Sequence, residues 1–235
     1  MYILTASVIY GLSITSMILL VIWVISFTIG HIVNKDMSPL IHAVSEYGAY
    51  KGSKPFIMVC WWTMGFLSIL LDACLIYILN SDPSGWNQTY LVGVICLAIF
   101  AVARILTSLF PTNVYQRPKY EEVGVPRDDP NNQNMNNSLH RLFAFLSFVS
   151  IVIATINIGK SLGNEYWDGN RLYENHLALY GLGWACLGTL LPMMLARRVK
   201  VVRYYFGFLE RLFYLAHVTF LFTLAATFIE FAEEI

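Results

Sequence analysis

Six long apolar stretches constrain the fold of this chain more than any other feature. They lie at about residues 4–31, 55–80, 88–110, 140–160, 174–196 and 206–230. Crossing the hydrocarbon layer takes about 20 residues of helix, and each stretch provides that length. Their continuous apolar character excludes strands, because open sheet edges would leave backbone groups unpaired in lipid. We therefore predict an all-α integral membrane protein, a single domain built as a six-helix bundle.

Composition and charge agree with this class and give an orientation. Only 13% of the residues are charged, whereas a soluble domain carries about 25%. The loops after the second and fourth stretches hold only Lys160 and Arg171. The other loops hold Lys35, Lys51, Lys54, Arg117, Lys119, Arg127, Arg197, Arg198, Lys200 and Arg203. The positive-inside rule places this second set in the cytoplasm and both termini outside. We expect the plasma (inner) membrane.

Two predicted cytoplasmic segments are longer than the rest. Residues 32–54 mix apolar residues with Ser45 and Glu46, and we interpret them as a re-entrant or interfacial element. Residues 111–139 are rich in proline, asparagine and charge, so they are predicted to form a flexible loop. The basic residues of both segments are interpreted as topology signals, and no nucleic-acid partner is expected.

Ionisable groups in or beside the hydrocarbon are costly, so they are candidates for function. Most of them gather at the predicted cytoplasmic ends of the helices. The candidate headgroup-binding residues are Ser45, Glu46, Arg104, His140, Arg141, Glu210, Arg211 and His217. Asp72 stands apart, deep in the second stretch among apolar neighbours. It is interpreted either as a protonated, hydrogen-bonded acid or as part of a proton or cation relay.

The sixth stretch has an informative spacing. Arg203, Glu210 and His217 are seven residues apart, about two helical turns, so they share one face with Tyr214 close by. Lipid would not tolerate that face, and it should turn inward. The structural alternative is that Glu210 pairs with Arg104 or Arg141 and fixes the bundle. Snorkelling to headgroups explains Arg141 and Arg211 nearly as well.

Histidines raise the question of a metal. His140 follows Ser138, which we expect to cap the fourth helix. Zinc commonly uses histidine and carboxylate ligands, so His42, His140 and His217 form an alternative metal set. The chain has no HxxxH or HExxH pair, and neither a metal nor another cofactor is expected.

Short motifs carry a family resemblance over nearly the whole chain. They are HAVSEYG at 42–48, Arg104 followed by LFPT at 109–112, SLH at 138–140, and Glu210-Arg211. With these motifs the chain resembles the bacterial and archaeal six-span family catalogued as domain of unknown function 998. The family pattern Pro-Thr-Asp corresponds here to Pro111-Thr112-Asn113, so a role for that carboxylate does not transfer.

Two further resemblances are more distant. The chain is similar to eukaryotic DRAM-like and GPI-lipid-remodelling six-span proteins, which implies a lipid-related role without catalytic residues to transfer. Membrane hydrolases of the ceramidase and adiponectin-receptor type provide a second comparison. Those hydrolases are helix bundles with a zinc site. This chain has a similar number of helices, but it lacks the paired histidines of their last helix.

These observations give one leading hypothesis and two alternatives. The leading hypothesis is a protein that binds, senses or translocates a membrane lipid or other amphiphile through a polar cavity at the cytoplasmic helix ends. There the arginines would contact an anionic headgroup, and the histidines and glutamates would orient them. The first alternative is a metal-dependent intramembrane lipid hydrolase. The second is a non-catalytic subunit or scaffold in a homo-oligomer or larger membrane complex.

Overall fold

A computed structural model describes residues 2–35, 37–49, 51–81, 87–110, 135–163, 171–196 and 198–235. These residues form helices and short connections, without a strand in the described ranges. In chain order the helices are α1 (Tyr2–Val33), α2 (Val44–Ala49), α3 (Lys54–Ser81), α4 (Gln88–Leu109), α5 (Met135–Leu162), α6 (Arg171–Glu174), α7 (His176–Ala196), α8 (Lys200–Arg203) and α9 (Phe206–Glu234).

Six of these helices, namely α1, α3, α4, α5, α7 and α9, are long and apolar enough to cross a membrane. The shortest has 21 residues, which corresponds to about 31 Å of helix and matches the hydrocarbon thickness. The prediction of an all-α, six-span membrane protein is therefore confirmed.

The six long helices form a closed ring. Each packs mainly against the long helix before it and the one after it, and α9 returns to pack against α1. In this order α4 and α9 stand on opposite sides of the ring. We call one end of the ring the motif end, where α1, α4 and α7 finish and α3, α5 and α9 begin. The charge pattern predicts that this end faces the cytoplasm.

The surface pattern is the reverse of that in a soluble protein. On α1, Ile18, Val21 and Ile25 are exposed, whereas Ser13 and Ser16 are buried. Each buried hydroxyl donates to the carbonyl four residues earlier, at 2.8 and 2.9 Å, so neither serine is left unpaired. This arrangement suits a lipid solvent, which accepts apolar side chains and provides no hydrogen bonds.

Glycines allow α5 and α7 to approach closely. A Cβ on Gly159 would lie 2.5 Å from the Tyr180 backbone nitrogen, and one on Gly183 would lie 2.8 Å from that of Ile156. Small residues at such positions bring helix backbones together, which is the usual source of packing energy between helices in membranes.

Two expectations about α5 are corrected. The loop predicted over 111–139 ends sooner, because residues 135–139 already form the first turn of α5, and residues 111–134 lie outside the described residues. Ser138 is consequently inside the helix and exposed, and it is not its cap. The first turn of a helix leaves backbone N–H groups without intrahelical partners, so it tolerates polar side chains such as Asn136 and Asn137. Polar residues therefore do not distinguish this turn from a loop.

Candidate functional site

The connection between α1 and α3, residues 34–53, folds against the ring at the motif end, and we call it the motif segment. Its short helix α2 packs on α3 and α9. The approach to α3 is close, since a Cβ on Gly48 would lie 2.6 Å from the Trp61 ring. Burial raises the pKa of the Tyr47 phenol, so the hydroxyl keeps its proton and donates to the Met37 carbonyl at 2.9 Å.

Two predicted site residues, Glu46 and Glu210, hold the start of α2. Glu46 Oε2 accepts the Ala43 N–H at 3.1 Å, as in one half of a capping box. Glu210 Oε2 accepts the Val44 N–H at 2.6 Å from α9. Both carboxylates are buried, and negative charge at a helix N-terminus is stabilising. Glu210 therefore connects α9 to the motif segment.

Gly207 makes this attachment possible. It is the second residue of α9, and a Cβ there would lie 2.6 Å from the Pro39 carbonyl oxygen and still closer to that of His42. With glycine in place, the Phe208 N–H donates to the Leu40 carbonyl at 3.0 Å. This bond satisfies one of the free N–H groups in the first turn of α9.

Arg211 joins three elements at the motif end. Its Nη1 donates to the carbonyls of His42 (2.9 Å) and Gly207 (2.7 Å). Its Nη2 and Nε lie 2.6 and 3.1 Å from Nε2 of His31, near the end of α1. The guanidinium carbon also lies 5.3 Å from the Tyr47 ring centroid. These contacts connect α1, the motif segment and α9. They also occupy most of the N–H donors of Arg211.

Arg104 has a different environment, inside the ring. Its side chain is 1% exposed. Nη2 donates to the Tyr214 hydroxyl at 2.6 Å, across the ring from α4 to α9. The guanidinium carbon lies 5.1 Å from the Tyr214 ring and 5.9 Å from the Phe148 ring. Nε has no hydrogen-bond partner among the described residues.

The direction of the Arg104 side chain is unusual for its position. Leu109 ends α4 only five residues later, about 7.5 Å of helix. Arginines near a helix end usually extend toward the interface. Helical side chains lean toward the helix N-terminus, which in α4 points away from the motif end. The guanidinium reaches Tyr214, eight residues into α9 or about 12 Å along it. The charge is therefore turned inward.

His217 borders the same region from α9. Its ring is 5.1 Å from the Tyr214 ring and 5.9 Å from that of Phe100 on α4. Nδ1 lies 2.8 Å from the Phe213 carbonyl. Nε2 is buried and has no hydrogen-bond partner within the described ranges. We call Arg104, Tyr214 and His217 the cross-ring cluster.

The remaining predicted residues lie around these two groups. His140 is buried, its Nδ1 is 2.8 Å from the Phe110 carbonyl, and its ring is 5.6 Å from that of Trp61. Arg141 is exposed at the start of α5, and Ser45 is partly buried in α2. The structure thus places most of the predicted residues in two groups. One is the motif-segment contacts, made by Glu46, Glu210 and Arg211, and the other is the cross-ring cluster, which includes Arg104 and His217.

Two of the alternative interpretations are corrected. For the predicted pair of Glu210 and Arg104 the structure gives other hydrogen-bond partners, since the Glu210 carboxylate accepts the Val44 N–H and Arg104 donates to Tyr214. In the part of the chain described, no three His, Cys, Asp or Glu side chains could hold a metal ion, so His42, His140 and His217 are not assembled. His42 Nδ1 instead lies 3.0 Å from the Ser38 backbone nitrogen.

Asp72 lies apart from both groups. It is 7% exposed, and its Oδ1 has no hydrogen-bond partner among the described residues. The nearby Tyr90 hydroxyl donates instead to the Leu75 carbonyl at 3.1 Å.

Two residues of these groups were not among the predicted site residues. His31 is the acceptor for Arg211, and Tyr214 is the acceptor for Arg104. A signal for Tyr214 was present, because it lies three residues before His217 on the inward face of α9. The position of His31 near the end of α1 gave no such signal.

The fold and these contacts define a class, an integral membrane protein with a closed ring of six helices and an arginine buried among them. The family model described as "Protein of unknown function (DUF998)" matches residues 17–227. The chain therefore belongs to this family, as its motifs predicted. No curated protein and no solved structure matches it, and the more distant similarity to DRAM-like proteins has no such support.

Proposed function

We propose that this membrane protein binds the anionic headgroup of a lipid or other amphiphile at Arg104. One observation carries the proposal, namely a guanidinium that is 1% exposed and whose Nε has no hydrogen-bond partner among the described residues. Removing an ion from water costs on the order of several kcal/mol, and an opposite charge with hydrogen bonds offsets that cost. A bound anion supplies both.

The surroundings favour an amphiphile over a small soluble anion. The walls of the cross-ring cluster are aromatic, with Phe100 beside His217 and Phe148 beside Arg104 and Tyr214. Such walls accept an acyl or prenyl chain next to a charged group, as ligand sites with few polar groups do. The ring itself lies in lipid, which is a reservoir of molecules of this kind.

The motif-segment contacts have a supporting role in this proposal. Glu46, Glu210 and Arg211 fix the segment over the motif end, close to the cross-ring cluster. They therefore shape the entrance rather than contact the ligand. Arg141 is exposed at the same end, where it would contact headgroups at the bilayer surface. Ser45 and His140 would line the path between that surface and Arg104.

The aromatic contacts of Arg104 also support a purely structural role. Contacts of a cation with the Tyr214 and Phe148 rings are each worth roughly 0.5–2 kcal/mol. That is less than the cost of an unpaired buried charge. In the structural case Arg104 fixes α4 against α9 and no ligand is bound.

Native mass spectrometry of the gently solubilised protein separates the two roles. We expect the wild type to retain an anionic amphiphile and Arg104→Met, which keeps a long unbranched side chain, to lose it. Arg198→Met is the matched control, because Arg198 is exposed outside the long helices and should leave the ligand bound. If the wild-type chain carries no ligand, or if Arg104→Met carries as much as the wild type, the proposal is wrong.

A further inference from the structure

The cross-ring cluster contains two unpaired atoms with opposite hydrogen-bonding character. Arg104 Nε–H is a donor, and His217 Nε2 is buried without a partner. Both residues adjoin the same ring, since the Arg104 guanidinium carbon and the His217 ring each lie 5.1 Å from the ring of Tyr214. Both unpaired atoms therefore belong to side chains that pack on the Tyr214 ring, and a group that bound there would find one donor and one acceptor.

The hydrogen bonds of His217 determine which of its nitrogens is free. Nδ1 lies 2.8 Å from the Phe213 carbonyl oxygen, which can only accept, so Nδ1 carries the hydrogen. A second proton on the ring would place two positive charges side by side in a buried region, and Coulomb repulsion opposes that. Nε2 therefore presents a lone pair and requires a donor.

From this we infer that the anionic group recognised by the cross-ring cluster is a phosphomonoester, which presents an anionic oxygen to Arg104 and its own P–OH to His217. The inference rests on the proposed function and names its ligand class. A carboxylate or a simple phosphodiester offers only acceptors, so it would leave His217 Nε2 unpaired. A water molecule could pair with both atoms, but it would leave the charge of Arg104 without a counter-ion.

His217 is then the residue that determines specificity, and Arg104 provides the attraction common to all anions. A buried acceptor left unpaired strongly disfavours the ligand that lacks the matching donor. We expect at least a tenfold preference for a phosphomonoester, on the order expected for one hydrogen bond within a charged site.

A matched pair of lipids tests the inference. Phosphatidate is a phosphomonoester, whereas phosphatidylmethanol is an anionic phosphodiester without a P–OH group. At pH 6, close to the second pKa of a phosphomonoester at about 6, about half of the phosphatidate carries a P–OH. Apparent dissociation constants come from native mass spectrometric titration of the full-length protein in detergent with each lipid.

We expect the wild type to prefer phosphatidate about tenfold or more. His217→Phe, which keeps the ring contacts with Phe100 and Tyr214, should bind both lipids equally, and Arg104→Met should bind neither. His217→Gln retains an acceptor and should keep part of the preference. His176→Phe, on α7 at the end opposite the motif end, is the control and should match the wild type.

The outcomes separate the two levels of the proposal. Equal binding of the two lipids by the wild type, with binding still dependent on Arg104, refutes the phosphomonoester and leaves the anion site standing. Binding that does not depend on Arg104 refutes the proposed function itself. Unchanged thermal unfolding and a monodisperse elution profile show that each variant is folded.

Glycerol phosphate identifies the source of the phosphomonoester. If millimolar glycerol phosphate displaces phosphatidate, the headgroup alone is recognised and a soluble metabolite can occupy the site. If it does not, while the preference for phosphatidate holds, the ligand is a lipid phosphate.

Discussion

Alanine at position 207 should destabilise the protein, although alanine is the better helix former. The added Cβ would lie 2.6 Å from the Pro39 carbonyl oxygen and 2.9 Å from the His42 nitrogen. Both are backbone atoms, so the motif segment must move as a unit. Overpacking of this kind costs about 1–3 kcal/mol, and loss of the Phe208–Leu40 hydrogen bond adds about 1 kcal/mol.

The gain from helix propensity opposes this cost by about 1 kcal/mol at most. The net expectation for Gly207→Ala is a loss of about 1–3 kcal/mol. For a chain of this length each kcal/mol lowers Tm by about 2–4 °C, so we expect a fall of about 2–12 °C. Hydrogen exchange should also rise over residues 37–49, where the displaced segment lies.

The control for this substitution is in α7. A Cβ on Gly181 or Gly188 would meet nothing within 4 Å, so Gly181→Ala and Gly188→Ala should be neutral or stabilising. Thermal unfolding in one detergent compares the three variants directly. A Gly207→Ala protein that is as stable as the α7 variants, with wild-type exchange in the motif segment, would show that the packing against Pro39 and His42 is not as described.

Two further predictions concern the motif segment and the orientation of the chain. Glu210→Gln keeps an acceptor for the Val44 N–H but loses its charge, so α2 should be weakened by about 1–2 kcal/mol. Hydrogen exchange over 44–49 measures this, with the exposed Glu230→Gln as control, and unchanged exchange would contradict the capping role. In a background without native cysteines, a membrane-impermeant maleimide applied to intact cells should label Glu233→Cys and leave Lys51→Cys unlabelled. The opposite pattern would reverse the predicted orientation.

The number and type of the spans could be predicted from the sequence because hydropathy is a local property. A stretch of about 20 apolar residues must form a helix in lipid, whatever lies beside it. The inward face of α9 was also predictable, because residues seven apart share a face and lipid excludes charge. Glu210 and His217 are accordingly buried, whereas Arg203, the third residue of the predicted face, lies in α8 before α9 begins. The start of α5 was less predictable, since polar residues suit a first helical turn and a loop equally well.

The partners of those buried groups were decided by the tertiary structure. Opposite charges along the chain suggested that Glu210 pairs with an arginine, yet its carboxylate caps α2, 166 residues away. Arg104 instead crosses the ring to Tyr214, 110 residues away. Such pairs depend on the order of helices around the ring, their depth and their rotation, and these follow from packing over the whole bundle. The sequence determined which groups needed partners, and only the closed ring determined which partners they found and which atoms were left unpaired.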